Sequence, residues 1–171
     1  MDHGSHTFYL AFEWLGACPE TVTARATTWG EHDTEDDFSC SLRFPGGIAT
    51  AHLSWVAGVR KVLYTIHGSR GAIRVEDDHV EVGTLKTDTL RSYGAKWDFE
   101  RRDISSRWMD ASHVTWFESM FGAFRSAIDT GDFVGKKAQQ ALLCVQVITT
   151  AYRSATESSR ELPIPGLETG A

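Results

Sequence analysis

The strongest constraint in this chain is the strict two-residue alternation of residues 38–44, where Phe38, Cys40, Leu42 and Phe44 interleave with Ser39, Ser41 and Arg43. Side chains of a strand point alternately to opposite faces, so this segment is a strand with one dry and one wet face and needs another layer behind it. Pro45-Gly46-Gly47 follows. It offers the fixed φ of proline and the positive-φ freedom of glycine expected of a tight turn, and residues 48–56 return as the partner strand of a hairpin.

The same reading extends outward from the hairpin. Residues 21–29 alternate, with Val22, Ala24, Ala26 and Thr28 on one side. Residues 61–67 make another strand, turned by Gly68-Ser69-Arg70-Gly71, and residues 72–75 and 80–82 pair around the acidic turn Glu76-Asp77-Asp78. Residues 84–110 show no defensible period, although residues 97–101 have the makings of one more strand. Helical spacing frames this meander. Phe8, Ala11, Phe12 and Leu15 recur at i, i+3, i+4 and i+7 before Gly16 and Pro19. Ser112 caps a helix carrying Val114, Phe117, Phe121, Phe124 and Ile128 that ends near Gly131, and a last helix over residues 136–156 is expected to bury Ala138, Leu142, Val145, Ile148 and Tyr152. The fold class is therefore α+β: one domain over residues 1–171, with an open, mainly antiparallel sheet and helices packed on one face. Trp55 and Tyr64 are expected on its outward side, and an apolar open face calls for a second copy or a partner domain.

Composition narrows the functions. With 42% hydrophobic residues the chain can bury a core, and 17 basic against 23 acidic side chains, a formal charge of −6, argue against a phosphate-neutralising surface and so against nucleic acid. The longest apolar run, residues 141–147, is too short to cross a bilayer. Cys18, Cys40 and Cys144 form no C-x-x-C pair and no signal-like segment opens the chain, which points to a cytoplasmic protein. Cys40 and Cys144 fall on apolar faces and read as core. His52, His67 and His79 read as surface or satisfied strand residues, and His113 as a helix-start residue. Arg91, Arg101, Arg102 and Arg107 read as solvated charge, with an anionic substrate as the alternative. The run Glu31, Asp33, Glu35, Asp36 and Asp37 around His32 reads as a solvated hairpin loop and not a cation site, and His3 and His6 lack the spacing of a zinc motif, so no metal is expected.

The most chemically loaded segment is Asp2-His3-Gly4-Ser5-His6. Asp2 and His6 stand four apart at a helix start and project the same way. The partial positive charge of a helix N-terminus favours an ionised Asp2 and a neutral His6, which makes an acid/base pair; a capping Asp2 with a partly exposed His6 is the plainer alternative.

Asp2-x-Gly4-x-His6 with Phe12 and Trp14-Leu15-Gly16 resembles the helix that opens the C-terminal domain of the Gfo/Idh/MocA family, the relatives of glucose-fructose oxidoreductase and inositol dehydrogenase. The hairpin Leu42-Arg43-Phe44-Pro45-Gly46-Gly47 with Ser54-Trp55, and the turn Ile66-His67-Gly68-Ser69-Arg70-Gly71-Ala72-Ile73, resemble family motifs in order. So do Trp116, Phe124, Ala127-Ile128, Gly131-Asp132, Ala151-Tyr152-Arg153-Ser154-Ala155 and Leu162-Pro163-Ile164.

The resemblance implies a dihydrodipicolinate-reductase-like C-terminal domain that supplies substrate contacts and an oligomerisation sheet to an NAD(P)-dependent oxidoreductase. The substrate would be a sugar, polyol or related polar compound. Asp2 and His6 match the family's proton-transfer pair, and Tyr9 falls at a substrate-contact position where many relatives carry an acidic residue. No G-x-G-x-x-G follows a strand and the family's Glu-Lys-Pro segment is absent, so no cofactor is expected on this chain alone. NAD(P) is implied only with a Rossmann domain or partner. A cofactor-independent lyase, isomerase or cyclase using the same pair, and a non-catalytic assembly subunit, are the alternatives.

Overall fold

The computed structural model describes residues 4–86, 96–103 and 114–165, with the side chains of residues 114 and 115 excepted. Ser112, His113, Arg91 and Arg107 lie outside the described residues. The elements run α1 (Gly4–Leu15), β1 (Thr21–Thr27), β2 (Asp37–Phe44), β3 (Gly47–Ser54), β4 (Leu63–Gly68), β5 (Gly71–Glu76), β6 (His79–Leu85), β7 (Trp97–Asp103), α2 (Val114–Thr130), α3 (Lys136–Thr156) and β8 (Leu162–Pro163). The α+β expectation holds, but the strands form two four-stranded sheets, β3-β2-β1-β8 and β4-β5-β6-β7, with every pairing antiparallel. They belong to two compact units, residues 1–57 with 130–171, and residues 58–129.

In the first unit the alternation of β2 is used as written. Phe38, Cys40, Leu42 and Phe44 are buried together with Val22 and Ala24 of β1, and Phe8, Ala11 and Phe12 of α1 complete the core with Leu143, Cys144, Val147 and Ala151 of α3. The β2–β3 hairpin closes through Pro45-Gly46, with Phe44 opposite Gly47. Neither Gly46 nor Gly47 takes a positive φ, so the turn needs only what proline presets. Positive φ is used instead at Gly16, whose N–H bonds the Phe12 carbonyl at 2.9 Å and ends α1.

The expected inward face of α3 is corrected in part: Ile148 and Tyr152 pack against the core, but Ala138, Leu142 and Val145 are exposed. Leu142 and Val145 are 54% and 57% exposed, whereas Gln140, Leu143, Cys144, Val147, Thr150, Ala151 and Ser154 are buried. Residues 136–156 carry two apolar stripes, and the one with the smaller side chains faces the sheet, because Ala151 and Ser154 let the helix come close to β1. Ser154, 0% exposed, is the tightest point: its Oγ accepts the Ala24 N–H at 2.9 Å and donates to the Arg160 carbonyl at 2.6 Å. After α3, Ser158 and Ser159 take consecutive positive φ values and turn the chain so that Leu162 and Pro163 pair with Val22 and Thr21.

The outer face of this first sheet is mostly polar, with Thr23, Arg25, Ser39, Ser41, Arg43, Thr50 and His52 in register and Ile48 exposed beside Arg43. No single apolar face carries both Trp55 and Tyr64: Trp55 lies past the end of β3, and Tyr64 stands on the apolar face of the second sheet. There, Tyr64, Ile66, Ile73, Val75, Val80 and Val82 share one face. β6 is longer than residues 80–82, and β7 runs along its whole length. The strand suggested over residues 97–101 is β7, two residues longer than expected; Trp97 and Phe99 share one face and stack, although all seven residues are exposed. Gly71 is a packing requirement: a Cβ there would stand 2.7 Å from the Gly83 carbonyl oxygen of the neighbouring strand. α2 has the expected extent, with Phe117, Phe121, Phe124 and Ile128 exposed.

Candidate functional site

The site implied by the motifs is the first turn of α1. Phe8, Ala11 and Phe12 fix which side of the helix is buried, and this leaves His6 exposed. Tyr9, one turn on, is half-buried against the core, so His6 and Tyr9 lie at i and i+3 on neighbouring parts of one surface. Asp2 lies outside the described residues.

Beside the shared core, polar contacts at both ends hold α1 against α3. The Cys144 thiol approaches the Ser5 carbonyl at 3.7 Å, and at the other end Gln140 donates to Glu13, which also pairs with Lys136 Nζ at 3.2 Å. These contacts set the helices antiparallel and fix the register of the turn that carries His6. The bonds from Gln140 and Lys136 hold the Glu13 carboxyl below its ordinary 4.5, while burial pushes the Cys40 thiol up to about 12, which leaves it inert as a nucleophile at neutral pH. Cys144, also raised by burial, packs in the same core.

A second polar link went unread in the sequence. The Tyr152 hydroxyl donates to Glu35 Oε1 at 2.6 Å and its ring meets Phe38 edge-on at 5.5 Å, so α3 is tied to the loop between β1 and β2. Burial, reinforced by Glu35, pushes the phenol up to about 12. The partners are 117 residues apart, and no local pattern announces them. The acidic loop is thus not simply solvated. Residues 30–34 are exposed, but Glu35, Asp36 and Asp37 are half-buried and engaged, Asp37 with His52 at 2.7 Å. His79 pairs likewise with Asp103 at 2.6 Å on the second sheet. Among the described residues no three His, Cys, Asp or Glu side chains gather as a metal site, and no helix is long and apolar enough to cross a membrane.

Residues 1–164 match the family described as "Oxidoreductase family, C-terminal alpha/beta domain", that of Gfo/Idh/MocA. The chain belongs to this family. No curated protein matches it. Among solved structures, an oxidoreductase from Agrobacterium radiobacter in complex with NAD+, L-tartaric acid and magnesium is 21% identical, with a TM-score of 0.70 over 94% of this chain and 47% of that one. Aldose-aldose oxidoreductase from Caulobacter crescentus, complexed with glycerol, is 19% identical, with a TM-score of 0.66 over 94% of this chain and 45% of that one. The WlbA dehydrogenase from Bordetella pertussis, in complex with NADH and UDP-GlcNAcA, is 20% identical, with a TM-score of 0.59 over 95% and 44%. The chain spans less than half the length of each of these Gfo/Idh/MocA-type structures.

Among the described residues of this Gfo/Idh/MocA domain no parallel β-α-β unit is formed. A dinucleotide's pyrophosphate is held at a glycine-rich turn between a strand and a helix of a parallel β-α-β unit, and every pairing among the described strands is antiparallel.

Proposed function

We propose that this chain is the substrate-binding and oligomerisation half of an NAD(P)-dependent oxidoreductase that acts on a sugar, a polyol or a related hydroxyl or carbonyl compound. The observation that carries the reading is the family match along residues 1–164, together with an exposed His6 on a helix turn braced against α3. In this reading His6 takes the proton from the substrate hydroxyl in the oxidative direction and returns it in the reverse. Asp2 orients the imidazole, and Tyr9 contacts the substrate one turn along the helix. The nicotinamide would be held by residues outside this chain, either a preceding Rossmann domain or a partner. The polar compounds named for the Agrobacterium, Caulobacter and Bordetella structures support the substrate class.

The test is NAD(P)-linked turnover of a panel of polyols, aldoses and nucleotide sugars by the protein carrying this chain, wild type against His6→Ala. The expected result is a loss of about 10²–10⁴-fold in kcat with substrate binding retained. Unchanged kcat removes His6 from the mechanism, and His6-dependent turnover with no nicotinamide present replaces the redox reading by a lyase or isomerase.

A further inference from the structure

Two tryptophans stand at one end of the first sheet, remote in sequence and brought together by Asp36. The Trp29 N–H donates to Asp36 Oδ2 at 2.7 Å, and the Trp55 N–H donates to the Asp36 carbonyl at 2.8 Å. Trp29 leaves β1 and Trp55 leaves β3, the two strands that flank β2, so their backbones are about two inter-strand spacings, roughly 10 Å, apart. The side chains are 73% and 66% exposed. The loop between them is set by further bonds: Asp36 N–H to the Thr27 carbonyl at 3.0 Å, Thr28 Oγ1 to the Thr34 carbonyl at 3.1 Å, and His32 Nε2 facing Asp36 Oδ2 at 3.4 Å. Glu31 and Asp33, in the loop that links β1 to β2, are exposed.

Large aromatic side chains left in water on an organised loop mark a binding surface, and the charge around these says what it binds. Five carboxylates, Glu31, Asp33, Glu35, Asp36 and Asp37, and no Lys or Arg lie within residues 29–37. That excludes a phosphate backbone. It also disfavours an isologous contact with a second copy, which would bring the same carboxylates face to face. A neutral, hydroxyl-rich ligand suits both features: its C–H faces stack on electron-rich indole rings, and its hydroxyls donate to carboxylates and to the imidazole of His32.

We propose that Trp29 and Trp55 form a carbohydrate platform, separate from the α1 turn, that takes an oligosaccharide or glycan chain across the end of the sheet. Their separation calls for more than one sugar ring. The platform does not depend on the roles proposed for Asp2 and His6.

The test is titration of the protein with maltotriose, cellotriose and chitotriose, followed by tryptophan fluorescence and by indole N–H chemical shifts. One of them is expected to saturate with a Kd of about 1 mM, weakened at least about tenfold in Trp29→Ala and in Trp55→Ala. His6→Ala and Trp116→Ala should bind as wild type, so failure of the catalytic reading leaves this result standing. Circular dichroism of the two platform variants checks their folding. Trp29→Phe and Trp55→Phe, which keep a stacking face, should bind more tightly than the alanine variants. The proposal is overturned if no trisaccharide shifts either indole, if Trp116→Ala weakens binding equally, or if the wild type sediments as a dimer that Trp29→Ala dissociates.

Discussion

Ser154 does several jobs with one hydroxyl. Its small side chain lets α3 approach β1, and its Oγ accepts the Ala24 N–H and donates to the Arg160 carbonyl in full burial. Ser154→Ala leaves both partners unsatisfied and is expected to cost about 1–3 kcal/mol, read from the urea midpoint at constant m-value. Glu13 makes the opposite kind of contribution, exposed and dependent on pH. Gln140 and Lys136 hold its folded pKa below the ordinary 4.5, so its stabilisation is complete above that value and is lost as pH falls through the lower, folded one. Between about pH 6 and pH 3 the urea midpoint of Glu13→Gln should fall less steeply than that of the wild type; parallel curves would show that Glu13 carries no acid sensitivity. The helix that carries His6 and Tyr9 was legible from the spacing of Phe8, Ala11, Phe12 and Leu15, whereas the role of Tyr9 came from the family resemblance alone. The Tyr152–Glu35 bond was not legible, because its partners meet only through the tertiary fold.

Elements were legible where one period dominated. β2 alternates without a break, and α1 has one apolar stripe, so both appear with the expected faces. α3 has the expected length, and Ile148 and Tyr152 pack against the core as expected, but Leu142 and Val145 do not, because they compete with Leu143, Val147 and Ala151 in the sequence and hydrophobicity alone ranks the first pair no lower. Close approach decides between them: the stripe with Ala151 and Ser154 fits against β1. Val147→Ala should therefore destabilise by about 2 kcal/mol. Leu142→Gln should stay within about 0.5 kcal/mol, as surface changes do, and equal losses in thermal or urea unfolding would mean that the outer stripe is covered. β7 was legible only over residues 97–101, where Trp97 and Phe99 alternate; Glu100 to Asp103 are all charged and carry no apolar signal to mark its end.

At the scale of the whole molecule, topology limits what the chain can bind. The described strands pair antiparallel throughout, whereas a pyrophosphate is cradled by a parallel β-α-β unit, so a polypeptide of residues 1–171 titrated with NADH or NADPH is expected to show no enhancement of nicotinamide fluorescence; saturable enhancement would place a dinucleotide site here. The border of the first sheet carries a different consequence. β8 covers only Thr21 and Val22, and Ser154 serves Ala24 next to them, so that margin is shielded by a strap that returns through Ser158 and Ser159. Proteolytic nicking of that strap would uncover a row of backbone amides able to recruit strands from other chains, and the fold would acquire a seed for fibrous aggregation.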